Sequence, residues 1–258
     1  MHAKIAPYQS LEKALKVLLA FETQNREIGT VELSEMLGLH RSTVGRILKV
    51  LVAYDFLQQD PGSKKFSLGP RNIRLANALK KTMKTDLVQI AKPFLDALRD
   101  RLEDTTIFET LIGGRNWVEV YVAEGPGRIR LVAEIGERMP IHVASGGKAF
   151  LAFSPPEVRD RLLSGPLIRL TKNSIVYKKE LERHFEEIRM QGFSFDRAEY
   201  DESIHAVGVP VFNVESVPIA SAVVAGTPQR ITGDKDSHVV KELKKTALNI
   251  SKRFGYKP

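Results

Sequence analysis

"LHRSTVGRILKVL", residues 39–51, decides how the first third of this chain reads. Val44, Ile47, Leu48 and Leu51 recur at i, i+3, i+4 and i+7, which commits one stripe of a helix to a core. The other side carries Arg41, Ser42, Thr43 and Arg46, each able to donate a hydrogen bond. A solvated surface helix shows the same pattern, so the neighbouring residues must decide.

Upstream, "LEKALKVLLAF" behind Ser10 predicts a first helix with Leu11, Leu15, Leu18 and Phe21 on its apolar side. "VELSEMLG" predicts a second, with Thr30 as N-cap and Gly38 closing it in the left-handed conformation. A turn through Leu39 and His40 leads straight into the opening stretch. Two helices joined this closely, the first ending at glycine, make a helix-turn-helix. Downstream, "DFLQQD" and "KKFSL" predict two short strands about a turn at Pro61, Gly62 and Ser63, a wing with a basic tip. "PRNIRLANALKKTMK", residues 70–84, then predicts a linker helix of roughly 20 Å, with Pro70 in a first helical position and Ile73, Ala76, Leu79 and Met83 as a thin stripe.

Charge divides the chain in the same place. Residues 1–84 hold 14 Lys and Arg against seven Asp and Glu, which leaves only about one of the eight net positive charges for the rest. A basic head joined to a neutral body suggests a polyanion-binding module and a second module with another task.

From residue 87 the periodicity changes. "LVQIAKPFLDALRDRLE" is helical, with a kink or a new start at Pro93. "TTIFETLI", "NWVEVYVA" and "IRLVAEI" predict an antiparallel meander. Helical patterns at 147–153, 156–163 and 178–191 precede strands at 205–214 and 218–225 and a last helix at 235–254. The fold class is α+β, with a mostly antiparallel sheet flanked by helices. The domains expected are 1–69, the winged helix-turn-helix; 70–84, the linker helix; and 85–258, the body.

With no cysteine, disulfides, thiolate nucleophiles and Cys-ligated metals are excluded, which fits a cytoplasmic protein. There is no run of eighteen apolar residues, so no membrane partner is expected. The six histidines form no H-x-x-x-H pair, and neither metal nor cofactor is expected.

"SLEKALKVLLAF", "ELSEMLGLHRSTVGRIL", "KKFSLG", "RMPIHVASGGKAFLAF", "QGFSFDRAEYDESIHAVGVPVFN" and "VVAGTPQRIT", in this order and spacing, resemble the IclR family of transcriptional regulators over nearly the whole chain. The resemblance implies a winged helix-turn-helix, a linker helix and a GAF-like effector domain. It also implies a homodimer, or a dimer of dimers, on double-stranded operator DNA. The recognition helix then presents Arg41, Ser42, Thr43 and Arg46 to the major groove, the arginines suited to guanine and the hydroxyls to phosphate or to capping. Thr30 and Lys49 join this set, and Lys64 and Lys65 at the wing tip touch phosphate. Gly45 replaces the bulkier residue of many relatives, so one base contact is missing or replaced.

Ser145, Gly146 and Gly147 precede a helix, where backbone N–H groups and the dipole favour a carboxylate. Carried over from the family by position, Ala144, Ser145 and Gly146 hold one end of a small organic acid. Asp196, Ile204 and Ala206 line the rest of the pocket, with Leu131 and Val223 as walls. Ala206 and Val223 stand where some relatives carry polar residues, which favours a ligand with a hydrocarbon or aromatic part. Phe108, Tyr121 and His205 are open between pocket and packing roles. Two other readings exist: a serine hydrolase using Ser145 and Lys148, which match S-x-x-K without the partner motifs, and an architectural DNA binder without regulation. The reading followed is a regulator, not an enzyme, with no catalytic residues.

Overall fold

A computed structural model describes residues 9–24, 26–82, 86–127, 131 and 133–258, with the side chains of 23, 24, 77, 79–82 and 86 outside the description. The chain forms two compact units, residues 1–84 and 85–258.

In the first unit, α1 (Gln9–Gln24), α2 (Thr30–Leu37) and α3 (Arg41–Ala53) precede the wing strands β1 (Leu57–Gln59) and β2 (Phe66–Leu68) and the helix α4 (Arg71–Thr82). Val17, Phe21, Ile28, Leu33, Val44, Leu48, Leu57 and Phe66 meet in one core. Gly38 adopts φ 62° and returns its N–H to α2, as the sequence suggests. Two expectations need correcting. The cap of α2 is Gly29, with no side-chain bond, so Thr30 is the first helical residue instead. On α1 the core takes Val17, Ala20 and Phe21, while Leu11 and Leu15 face outward. Leucines ring this helix, so two stripes were available, and the i, i+3, i+4 set at 17, 20 and 21 closes the core. Ser10 lies inside α1.

The corner between α3 and α4 is tied by hydrogen bonds. Asp55 turns the chain at φ 61°. The Arg71 N–H donates to the Asp55 carbonyl and the Arg71 guanidinium to that of Tyr54, while the Asn72 amide donates to the carbonyls of Phe56 and Gly69. A Cβ on Gly69 would overlap Asp55 O, so only glycine fits there.

The second unit is a six-stranded sheet in the order β5-β4-β3-β8-β7-β6, with every pairing antiparallel. The helix α5 (Asp86–Leu102) runs through Pro93 without a second start. The strands β3 (Thr105–Ile112) and β4 (Asn116–Ala123) fall where their apolar runs place them. The third meander strand is a correction. Ile129, Arg130 and Val132 lie outside the described residues, the described remainder of 129–135 is not strand, and the neighbour of β4 is the short β5 (Arg138–Met139). The Leu131 carbonyl accepts instead from the Thr105 hydroxyl. There follow α6 (Ser145–Phe153), α7 (Pro156–Leu162), α8 (Lys178–Gln191), β6 (Ser194–Arg197), β7 (His205–Phe212), β8 (Pro218–Gly226) and α9 (His238–Arg253).

Alternation along the strands gives the sheet two faces. The Thr106 hydroxyl reaches Leu95 O on α5, which marks one face; the Ser221 hydroxyl reaches Gly146 O on α6, which marks the other. Trp117, Glu119, Ile107, Glu109, Val223, Gly208, Ala206 and Asp196 share the α6 face through their cross-strand pairing. Trp117 packs on Phe150 of α6 with ring centroids 4.9 Å apart. A bulge at Phe108/Glu109 shifts the register so that Glu109 stands directly opposite Glu119.

Candidate functional site

The helix α3 is built to show one polar side. Burial of Val44 and Leu48 anchors it, at about 1.5–3 kcal/mol for each side chain. His40 caps it by accepting the Ser42 N–H at 3.3 Å, and the Ser42 hydroxyl lies 2.8 Å from the same ring nitrogen. Arg41, Ser42, Arg46 and Lys49 are exposed, and none of these three cations pairs with an acid among the described residues. Thr43 and Thr30 are half-buried. At the wing the Asp60 carboxylate accepts the Gly62 and Ser63 N–H groups, which holds it below its ordinary range and folds the tip. Lys64 sits at φ 58° there, and both Lys64 and Lys65 are exposed. The head therefore presents a helix and a hairpin whose outward side chains are cations and donors.

In the second unit a cavity of about 240 Å³ opens on the α6 face of the sheet. Leu131, Ser145, Asp196, Ile204, Ala206 and Val223 line it. Ala144 and Gly146 do not, and this corrects the expectation of an outward helix terminus. Both are buried; the Ser194 hydroxyl donates to Ser145 O, and a Cβ on Gly146 would overlap Glu109 Oε2. The space beside the α6 terminus is thus filled by a carboxyl of the chain itself. Phe108 and Tyr121 fall on the α5 face, where the Tyr121 hydroxyl donates to Asp96. His205 bonds Ile231 O at 3.0 Å and stacks edge-on with Phe195, away from the cavity.

The acids Glu109, Glu119, Glu137 and Asp201 and the hydroxyl of Tyr200 complete the polar lining, beside Ile107, Met139 and Ala225. Glu109, Glu119 and Glu137 went unnoticed in the sequence, although a glutamate in the middle of "TTIFETLI" and of "NWVEVYVA" is a signal: strands this apolar bury both faces. Glu109 is 2% and Glu119 4% exposed. Glu109 Oε2 accepts the Trp117 indole N–H at 2.6 Å. Burial pushes Glu109 up to about 7, and burial followed by the charges of Glu109 and Glu137 pushes Glu119 up to about 8. Burial also raises Asp196, which accepts the Glu199 N–H at 2.6 Å.

The lysine of the S-x-x-K match is otherwise engaged. Lys148 is wholly buried, with Nζ donating to the Glu199 carboxylate and to Phe195 O. An ammonium held this way is no base for Ser145. The pair instead ties α6 to the segment after β6, which carries Tyr200, Asp201 and Ile204 across the cavity.

A winged helix-turn-helix head and an antiparallel-sheet unit with a cavity on one face of its sheet define a DNA-binding protein with a ligand-binding second domain. Residues 10–61 match the IclR helix-turn-helix domain, and residues 79–252 match the C-terminal domain of the bacterial transcriptional regulator IclR. The chain belongs to the IclR family of transcriptional regulators and is not an enzyme. It is 28% identical to the HTH-type transcriptional regulator XynR of Escherichia coli over 96% of this chain and 98% of that one. The HTH-type transcriptional repressor AllR of Klebsiella pneumoniae is 29% identical over 97% and 91%. Among solved structures, the Thermotoga maritima IclR matches with TM-score 0.80 and 25% identity, over 97% of this chain and all of that one. An IclR homologue from Microbacterium hydrocarbonoxydans, itself complexed with 4-hydroxybenzoate, shares the fold with TM-score 0.74 at 23% identity, over 95% and 99%. Among the described residues no helix is long and apolar enough to cross a membrane.

Proposed function

We propose that α3 reads an operator through Arg41 and Arg46, with Ser42, Thr43, Thr30 and Lys49 at its flanks and Lys64 and Lys65 of the wing on phosphate. We also propose that a small organic acid in the cavity beside Ser145 modulates this binding. The observation that carries the reading is the pairing of a head whose recognition helix shows cations with no acid partner among the described residues with a second unit that holds a cavity. The 4-hydroxybenzoate held by the Microbacterium homologue is an instance of an organic acid within this fold. A ligand shifts operator affinity only through its different affinity for two arrangements of the protein, commonly about 1–3 kcal/mol. The linker, residues 70–84, transmits that difference in a cytoplasmic homodimer or dimer of dimers.

Fluorescence anisotropy with operator and scrambled duplexes tests the head. Arg46→Ala is expected to weaken operator binding about tenfold or more and to relax the preference for one base pair. Unaltered affinity and preference would remove Arg46 from the readout. Ile204→Trp, which fills the cavity from a half-buried wall, is expected to abolish the ligand response and leave ligand-free DNA binding intact. A surviving response would place the effector elsewhere.

A further inference from the structure

Gly38 and Gly69 are demanded by the fold of the head; Gly45 is not. Gly38 sits at φ 62°, and a Cβ on Gly69 would overlap Asp55 O. Gly45 lies inside the 13-residue helix α3, and no described atom is within 4 Å of where its Cβ would stand. Glycine is the poorest helix former after proline, so α3 would be more stable with most other residues there. The cost has no return in the packing of the head.

The place of Gly45 on the helix gives the missing side chain a role. Residues three and four apart are neighbours, so Gly45 stands between Arg41 and Lys49 and beside Ser42. All three of these are exposed, and neither cation pairs with an acid among the described residues. Gly45 itself is half-buried, at the border between this polar face and the core side marked by Leu48. The row Arg41, Gly45, Lys49 therefore carries two cations about 12 Å apart along the axis, with bare backbone between them. The Gly45 N–H and carbonyl are engaged in the helix's own i→i−4 bonds, so this notch shows C–H and no free hydrogen-bonding group.

Resting on the operator reading above, we infer that Gly45 is a specificity-determining position: it lets a base-pair edge approach the α3 backbone, and the group seated in the notch is a thymine methyl. The major-groove edges of the four bases present donors, acceptors and one apolar group, the 5-methyl of thymine. A notch without donor or acceptor strands any polar group placed in it and is matched by the methyl. Arg41 and Lys49, on either side, carry the charge that draws the duplex onto it.

The probe is the duplex that the full chain enriches from a pool of random sequence, measured by fluorescence anisotropy beside a scrambled duplex. Gly45→Ala and Gly45→Leu are each expected to raise the melting temperature of the head by about 2–8 °C, as helix propensity requires. Both should weaken binding to the enriched duplex, Leu more than Ala and by at least about tenfold, because a side chain is forced into a packed contact. Binding to the scrambled duplex, held by phosphate contacts, should change by less than about twofold. Replacing thymine by uracil, one position at a time, should weaken the wild type about fourfold at one position in each half-site, the worth of one buried methyl. The same replacement should leave Gly45→Leu unaffected. A gain in stability joined to a loss of specific binding is an outcome that a packing role does not give.

A Gly45 variant that binds the enriched duplex as tightly as the wild type, a head that either substitution destabilises, or a duplex indifferent to uracil at every thymine overturns the inference. Arg46→Ala is the control that separates it from the operator reading. If Arg46→Ala weakens specific binding while the Gly45 variants do not, the operator reading stands and this inference alone falls. If no duplex is enriched, or if neither Arg46→Ala nor the Gly45 variants change specific binding, α3 is not the reader and both fall.

Discussion

Raising the pH from 6.5 to 9 should cost the second unit stability, with Glu119 responsible for most of the loss. Burial lifts Glu119 from 4.5 to about 8 and Glu109 to about 7. A carboxyl raised in the folded state keeps a proton that the unfolded chain has released. Its stabilisation is complete below the unfolded value of 4.5 and drains away as the pH climbs through 7 and 8. While the proton is held, each pH unit costs about 1.4 kcal/mol, so from pH 6.5 to 9 Glu119 gives up about 2 kcal/mol and Glu109 about 1 kcal/mol. His142 and His184, depressed by burial, act oppositely, since the stability they lend is lost as the pH falls below 6.5. The window therefore starts there. A combined loss of about 3 kcal/mol corresponds to about 6–12 °C in Tm for a unit of this size. Trp117 is the chain's single tryptophan and bonds Glu109, so its fluorescence follows melting at the site itself. Glu119→Gln should retain only about a third of the pH effect. The double variant Glu109→Gln/Glu119→Gln should show the weakest pH dependence of the three, because it removes both carboxyls that face each other across β3 and β4 and titrate as a pair. Equal pH dependence in wild type and Glu119→Gln would refute the assignment.

Three further outcomes are expected. Gly208→Ala places a Cβ 2.6 Å from Gly146 N and from Ser145 C, backbone atoms with nowhere to move, and should destabilise the second unit by about 1–3 kcal/mol in denaturant titration. Lys148→Met should cost about 3–5 kcal/mol by stranding the Glu199 carboxylate, and Lys148→Met/Glu199→Leu should restore much of it, as measured by the same titration. His40→Ala should lower the melting temperature of the head through the loss of a cap worth about 0.5–2 kcal/mol, with the second unit's transition unmoved.

What the sequence made legible follows from how each element is held. The helix α8 (Lys178–Gln191) and the strands β3 and β4 read off to the residue because a single strong periodicity is bounded by turn or capping residues. The stripe of α1 misled, since leucines surround it and only the tertiary core chooses a side. The strand β6 was missed because four residues, three of them polar, carry little pattern until β7 pairs with them. The cavity was legible in its apolar and Asp196 positions, through family likeness. Its acid pair was not, because Glu109 and Glu119 meet only through a register shift. The closed surroundings of α6 likewise depend on Glu109, Gly208 and Ser194, all distant in sequence.

The corner where α4 leaves the wing has a mechanical consequence. A helix whose first turn is bonded to the carbonyls of Tyr54, Asp55, Phe56 and Gly69 cannot swivel by itself. It works as a handle about 18 Å long fixed to the reading head. Whatever twists that handle turns α3 and the wing with it, so Arg41 and Arg46 change direction by the same angle.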